Sequence, residues 1–141
     1  MKADSTTETA VMKVLEELGE ALGSKDTQRA LSLLAHDADV VLLGSAEGEK
    51  AVGRRQSEEL FEQLRSRPIA YSFEWRWHLV SSEGSVAWVV AEGSVHTESA
   101  DQHLILPYRL TLVLVNRGNK WLIAHSHGSE PAAAGEPQPG N

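Results

Sequence analysis

The sequence contains no cysteine. A disulfide framework, a thiol nucleophile and a thiolate metal site are therefore excluded. Basic residues are also few, because 13 lysines and arginines stand against 20 aspartates and glutamates, for a formal net charge of −7 at pH 7. Nucleic acids and anionic membranes are bound by basic surfaces. We therefore expect neither of them as a partner.

Long hydrophobic runs are missing as well. No apolar stretch approaches the ~20 residues of a membrane-spanning helix, and residues 1–10 lack the basic start and apolar centre of a signal peptide. These absences predict a cytoplasmic location. The remaining composition, 41% hydrophobic and 23% charged over 141 residues, is typical of one globular domain with a substantial core.

The first half of the chain has mainly helical periodicity. Apolar residues recur every three or four positions behind a Ser5-Thr6-Thr7-Glu8 capping-box pattern, and Gly23 is expected to end this first helix. Asp26 is expected to cap a second, short helix that reaches about Leu34. The pattern then predicts, in order, a strand at 39–44, a loop at 45–53 and a third helix at 54–67 that Pro68 ends.

After Pro68 the hydrophobic period changes from 3.6 to 2, which predicts four antiparallel strands. A turn at Glu83-Gly84 would place Leu79 opposite Trp88 and Trp75 opposite Glu92. In the same register Trp77 would face Val90, and the aromatic side chains would share one face.

The last two strands flank a Gly-Asn turn, which is a good hairpin signature. Simple pairing across this turn places Leu114 opposite Ile123, His125 opposite Leu112 and His127 opposite Leu110. Because side chains alternate along a strand, both histidines would then share the apolar face of Tyr108.

The element order α-α-β-α-β-β-β-β indicates an α+β domain with helices on one face of an antiparallel sheet. The second face of the last hairpin is also apolar, so we expect a homodimer through the sheet. Residues 1–7 are expected to be a flexible N-terminus and residues 8–130 the domain. Residues 131–141 are rich in proline, glycine and alanine, and are expected to be a disordered tail.

Several segments carry a family resemblance when they are read in order. They are His36–Gly44 (HDADVVLLG), Gly53-Arg54, Ala87-Trp88-Val89, Tyr108-Arg109-Leu110-Thr111 and Trp121-x-Ile123-x-His125-x-His127-x-Ser129. In this combination the chain resembles the SnoaL-like family of the nuclear transport factor 2-like superfamily over about residues 8–131.

The resemblance implies a cystatin-like cone, in which a strongly curved, mostly antiparallel sheet wraps around the N-terminal helices and encloses a pocket. It also implies homodimers through the sheet. Family members include polyketide cyclases, steroid isomerases, dehydratases and pocketed domains without a known reaction, so the fold does not determine the function. One departure is that Val41 or Leu42 stands where a steroid isomerase has its aspartate base, which argues against that reaction.

Three residues are candidates for acid–base chemistry. His125 and His127 would titrate near neutral pH, and Glu92 among indoles would have its pKa raised by desolvation. The alternatives are a neutral core histidine hydrogen-bonded within the hairpin and a carboxylate that reaches solvent at a strand end. His125-x-His127 lacks a third ligand at a motif spacing, so no metal site is predicted.

The candidate ligand-binding residues are Trp75, Trp77, Trp88, Tyr108 and Arg109. The aromatic ones would line a pocket for a flat or apolar ligand, or else only fill the core. Arg109 would bind a ligand carboxylate or enolate, or pair with an acidic residue. Together with the family resemblance, these features predict a domain that binds a small apolar carbonyl compound; if it is an enzyme, the resemblance implies that it isomerises, cyclises or dehydrates this compound without a cofactor. The alternative is a non-catalytic ligand-binding or dimerisation domain.

Overall fold

The structure is a computed structural model that describes residues 1–134; residues 135–141 lie outside the described part. The elements are α1 (Ser5–Gly23), α2 (Thr27–Ser32), β1 (Val41–Leu43), β2 (Lys50–Val52), α3 (Gly53–Ser66), β3 (Ala70–Glu83), β4 (Val86–Glu98), β5 (His103–Arg117) and β6 (Lys120–Ser129). In residues 1–134, none of the helices is long and apolar enough to cross a membrane.

The strands form one sheet in the order β2-β1-β6-β5-β4-β3, antiparallel throughout except for the parallel pair β1–β6. α1 packs on one side of this sheet, which we call the inner face; the opposite side is the outer face. The apolar stripe of α1 belongs to the same core as inner-face residues such as Val89 and Leu112, which are fully buried. Burial of each such side chain contributes about 1.5–3 kcal/mol to stability. The α+β prediction of a curved, mostly antiparallel sheet around the N-terminal helices is confirmed.

The predicted loop at 45–53 is partly wrong, because Lys50–Val52 forms the edge strand β2. Val52 pairs with Val41, and the turn between β1 and β2 closes through a 2.7 Å hydrogen bond from the Gly44 N–H to the Glu49 carbonyl. A strand of three residues is too short to show alternation. Its pairing with β1 comes from the tertiary fold, and the element order becomes α-α-β-β-α-β-β-β-β.

The N-terminal cap of α1 also differs from the expected capping box. Asp4, and not Ser5, is the capping residue, and its Oδ1 accepts a 2.8 Å hydrogen bond from the Thr7 N–H. Ahead of the helix, the N–H of Ala3 donates to the Val80 carbonyl at 3.0 Å. The flexibility of residues 1–7 stays a prediction, as does that of the tail, of which residues 131–134 form neither helix nor strand.

The β3–β4 hairpin turns one residue later than expected. Glu83 pairs with Val86, so the two turn residues are Gly84 and Ser85. Gly84 has φ +58°, and glycine with positive φ at the first central position is typical of a type II′ turn. The predicted cross-strand pairs of this hairpin are therefore wrong by two residues. Trp88 faces Ser81.

A bulge at Arg76 changes which face each β3 side chain occupies. Trp75 pairs with Gly93 while Trp77 pairs with the adjacent Glu92, so Arg76 is an extra residue. The side chain of Trp75 consequently lies on the inner face, and that of Trp77 lies on the outer face. The prediction that the aromatic side chains of this strand share one face is therefore wrong.

A second bulge lies in β6. Leu114 pairs with Ile123 as predicted, but Val113, not Leu112, pairs with His125, which leaves Ala124 as the extra residue. A one-residue shift moves every following side chain to the other face. His125 and His127 are therefore on the outer face, and their predicted place beside Tyr108 is wrong. Ser126 takes the inner position.

Candidate ligand pocket

A cavity of about 290 Å³ lies between the inner face of the sheet, α1 and α3. Its deep part is aliphatic because the inward stripes of the helices and strands meet there. Residues from every layer contribute, among them Leu15, Leu18, Leu34, Leu42, Leu60, Leu64, Leu110 and Ile123. A volume of about 150 Å³ is sufficient to hold benzene, so this cavity has room for a ligand of about two fused rings.

Three aromatic side chains form one wall of the cavity. Phe73 and Trp75 are stacked with ring centroids 5.8 Å apart, and Tyr108 meets Phe73 edge-on at 5.6 Å. Each ring touches its neighbours and also faces the cavity. Such a wall offers apolar rings to a flat ligand.

The hydroxyl of Tyr108 is the polar group of this wall. Burial raises the pKa of Tyr108 to about 12, and the negative charges of Glu49 and Glu130 add to the rise. The phenol is thus protonated at neutral pH and can donate a hydrogen bond. A Cβ atom at Gly128 would overlap with the Tyr108 hydroxyl, so the ring reaches its position only because this residue of β6 is glycine.

The rim of the cavity is polar and charged. The carboxylate of Glu49 accepts a 2.8 Å hydrogen bond from the Ala46 N–H through Oε1, and Arg67 Nη1 lies 3.5 Å from its Oε2. The side chain of Glu49 is only 14% exposed. Glu130 follows β6 and accepts a hydrogen bond from Ser45 Oγ at 3.3 Å. The turn between β1 and β2 thus holds one carboxylate beside Tyr108, and the end of β6 provides the other.

Lys25 lies near the same region, but its ammonium is hydrogen-bonded to backbone carbonyls. Its Nζ donates to the carbonyls of Leu64, Arg67 and Ile69 at 3.5, 2.9 and 2.8 Å. All three hydrogens of the ammonium therefore have acceptors. The ammonium stabilises the end of α3 and the segment after it.

The structure places two of the predicted ligand-binding residues on the cavity wall, Trp75 and Tyr108. The other predicted site residues lie on the outer face and do not line this cavity; these are Glu92, Trp77, Trp88, Arg109, His125 and His127. The bulges at Arg76 and Ala124 explain why Trp75 is separated from Trp77 and Glu92, and why the two histidines are separated from Tyr108, since each bulge moves the residues beyond it to the other face.

The outer-face residues have partners of their own. Arg109 Nε donates to Glu92 Oε2 at 2.9 Å, so the guanidinium is paired within the sheet. His125 Nδ1 donates to the carbonyl of Val41 at 2.8 Å, across the parallel β1–β6 pair. Glu92 and His125 therefore do not meet in the cavity as an acid–base pair. Among residues 1–134, no group of three or more histidine, aspartate or glutamate side chains is placed to hold a metal ion.

Sequence reasoning did not identify Glu49, Arg67 or Glu130. All three lie outside the periodic segments: Glu49 is in a turn, Arg67 follows α3 and Glu130 follows β6. Polar residues in such places are usually solvated, and no spacing rule relates these three positions. The only local signal is the position of Glu49 in a short polar turn that directly follows an apolar strand.

Comparison with known proteins agrees with this architecture. The family model of the SnoaL-like domain matches residues 11–133. A Streptomyces avermitilis structure of the NTF2-like family, provisionally named a dehydratase, has 18% identity and a TM-score of 0.82, with 91% of this chain and 98% of that chain covered. No curated protein matches the sequence.

Two further structures have the same fold. A Novosphingobium aromaticivorans protein, provisionally named an aromatic ring hydroxylase, has 15% identity and a TM-score of 0.82 over 94% of each chain. A Nostoc punctiforme protein of unknown function with a cystatin-like fold has 12% identity and a TM-score of 0.73, with 94% and 97% covered. The cystatin-like fold is thus confirmed. Since the family model covers most of its length, this chain belongs to the SnoaL-like family.

Proposed function

We propose that this protein binds a small, largely apolar carbonyl compound in the cavity and catalyses a proton transfer on it without a cofactor. The observation that carries the proposal is the placement of a protonated phenol, Tyr108, and a shielded carboxylate, Glu49, on an otherwise apolar cavity of about 290 Å³. A hydrogen-bond donor and a base beside an apolar chamber are the two groups that enolisation requires.

In the proposed reaction, the hydroxyl of Tyr108 donates a hydrogen bond to the carbonyl oxygen of the ligand. The carboxylate of Glu49 takes a proton from the carbon next to that carbonyl. The electron pair of the broken C–H bond forms a C=C bond, and the carbonyl electrons move to oxygen as an enolate that Tyr108 stabilises. The carbonyl then re-forms as Glu49 returns the proton. In an isomerisation the γ-carbon of a β,γ-unsaturated ligand accepts it and the double bond moves next to the carbonyl; in a dehydration the β-hydroxyl accepts it, the C–O bond breaks, a C=C bond forms and water leaves.

Tyr108 is suited to the donor role because its hydroxyl remains protonated over the physiological range. Glu49 is suited to the base role because the Ala46 N–H and Arg67 hold its carboxylate in place at the rim, and because its side chain is only 14% exposed. The Streptomyces relative is named a dehydratase, and dehydration is one of the two reactions proposed here. The two chains share a fold at 18% identity, and a shared fold does not by itself imply a shared activity.

A bicyclic ketone with exchangeable hydrogens, 2-tetralone, tests the proposal. Binding is followed by tryptophan fluorescence, and exchange of the hydrogens next to the carbonyl is followed by NMR in D2O. We expect the protein to accelerate the exchange, and we expect Glu49→Gln to reduce the acceleration by about 10²–10⁴-fold while 2-tetralone still binds. Glu58→Gln, on the exposed side of α3 and away from the cavity lining, is the matched control and is expected to leave the exchange rate unchanged.

The second candidate function is a non-catalytic binding domain. The apolar Val41 and Leu42, at the place where the resemblance to steroid isomerases would put a base, favour it. If the protein only binds, 2-tetralone should bind to the wild type, but its hydrogens should exchange no faster with the wild type than with the Glu49→Gln variant. That result would contradict the proton-transfer proposal and leave the cavity as a binding site only.

We also propose that the outer face binds a second copy of this chain. Trp77, Leu79 and Val90 are 50%, 45% and 37% exposed there, which is unusual for large apolar side chains grouped on one sheet surface. The nearby Glu92–Arg109 pair gives this face both charge signs. A two-fold axis through the face would bring Arg109 of one copy toward Glu92 of the partner subunit, so the surface complements itself.

A further inference from the structure

We propose that Glu49 and Glu130 make the cavity selective for ligands that carry a protonated amine and exclude those that carry a carboxylate. This inference rests on the proposed ligand-binding function and adds the charge of the ligand to it. Its basis is the set of charged groups at the rim.

The charges at the rim do not balance. Glu49 and Glu130 each contribute one negative charge, and Arg67 contributes one positive charge; all three line the cavity. Arg67 lies 3.5 Å from Glu49, so the positive charge is already engaged. Glu130 has only the neutral Ser45 hydroxyl as its hydrogen-bond partner among the described residues.

No other cation of the described chain takes part in the lining. Lys25 is not part of the lining, and its ammonium donates to three backbone carbonyls. A ligand carboxylate would therefore meet Glu130 without a counter-charge. Glu130 is exposed at the mouth of the cavity, so water and salt screen this like-charge contact, but it still disfavours a carboxylate relative to an ammonium.

The pKa of Tyr108, on the cavity wall, is raised partly by the same negative charges. Its ionisation is opposed by both glutamates as well as by burial, so the site resists an added negative charge next to the aromatic wall. An ammonium group is favoured for the same reason.

Three naphthalene derivatives of similar shape test the selectivity. The amine 2-naphthylmethylamine, the neutral 2-naphthylmethanol and the acid 2-naphthoic acid are titrated into the protein by calorimetry at pH 7. We expect affinity to fall in that order, with the amine at least about tenfold tighter than the acid, and we expect the preference to shrink at high salt.

The variant Glu130→Gln should bring the affinities of the amine and the acid closer together, because it removes the negative charge without changing the shape of the rim. Glu58→Gln on the exposed side of α3 changes net charge equally, does not line the cavity and should preserve the preference. Binding of the acid as tightly as the amine, or an unchanged preference in Glu130→Gln, would overturn the charge selectivity alone. Failure of all three compounds to bind would overturn the proposed binding function and this inference together.

Discussion

Trp75 and Trp77 are two residues apart on β3, yet they lie on opposite faces of the sheet. Regular alternation would place them side by side. The extra residue Arg76 between them reverses the alternation, so Trp75 joins the cavity wall and Trp77 is 50% exposed on the outer face. The alternating aromatic residues of β3 therefore contribute both to the cavity wall and to the outer face of the sheet.

This relationship predicts different fluorescence responses for the two tryptophans. Trp75→Phe should abolish most of the emission change on addition of 2-tetralone, because Trp75 is the tryptophan that lines the cavity. Trp77→Phe should retain that change. A signal that disappears with Trp77→Phe and remains with Trp75→Phe would place the ligand on the outer face.

Gly93, which pairs with Trp75 at the bulge, should not tolerate a side chain. A Cβ atom there would overlap with the backbone carbonyl of Glu74, so β3 and β4 would have to separate. We expect Gly93→Ala to lower the free energy of unfolding by about 3 kcal/mol in urea denaturation.

Gly19→Ala is the control for that measurement. A Cβ atom at Gly19 would lie 3.5 Å from Phe73, an ordinary contact, and alanine favours the helix by up to about 1 kcal/mol. Equal destabilisation by the two substitutions would contradict the close approach of the strands at Gly93.

The raised pKa of Tyr108 predicts a loss of stability at high pH. Because the folded protein holds this phenol protonated to about pH 12, while an unfolded tyrosine ionises near pH 10, the stabilising contribution is complete below about pH 10. It should be lost as the pH rises from about 10 to about 12, at a cost of up to about 3 kcal/mol.

Tyr108→Phe isolates this contribution, because every other titrating group is retained. The difference in unfolding free energy between the two proteins, measured in urea from pH 8 to 12, should change only above about pH 10. A difference that stays constant across the range would contradict the burial of the phenol.

His125→Gln tests whether the histidine is structural. Its Nδ1 stabilises the β1–β6 pairing through the Val41 carbonyl and does not face the cavity. We expect a loss of about 1 kcal/mol in unfolding free energy, with unchanged affinity for 2-tetralone and unchanged hydrogen exchange on it. A selective loss of exchange activity would restore His125 as a candidate acid or base.

Val90→Lys tests the outer face as a dimer interface. A charge in the centre of an apolar contact is strongly unfavourable, so the variant should sediment as a monomer at concentrations where the wild type sediments as a dimer. Gln63→Lys on the exposed side of α3 adds the same charge elsewhere and should not change the sedimentation. A monomeric wild type would contradict the homodimer.

Much of the fold was predictable because its signals are local. The helical stripe of α1, the change of period after Pro68 and the Gly118-Asn119 turn are each determined by neighbouring residues. Both turn residues have positive φ, as a type I′ hairpin requires, and the predicted pairing of Leu114 with Ile123 is confirmed.

The candidate site was less predictable. Trp75 and Tyr108 were identified as aromatic residues of a possible wall, and both line the cavity. The histidines and Glu92 were assigned to the same side because alternation was assumed to continue without interruption. Bulges at Arg76 and Ala124 interrupt it, and no residue type at these positions marks a bulge in the sequence.

By itself, the sequence determined the class of fold, the family resemblance and the hydrophobic residues available for a core, since these follow from periodicity along the chain. Only the tertiary structure decided which face each residue of β3 and β6 occupies, and that Glu49 and Glu130 meet at one rim with Tyr108. The physical reason is that bulges and strand pairings are set by the closure of a curved sheet around α1. That is a balance of contacts between residues far apart in the chain, which no local pattern records.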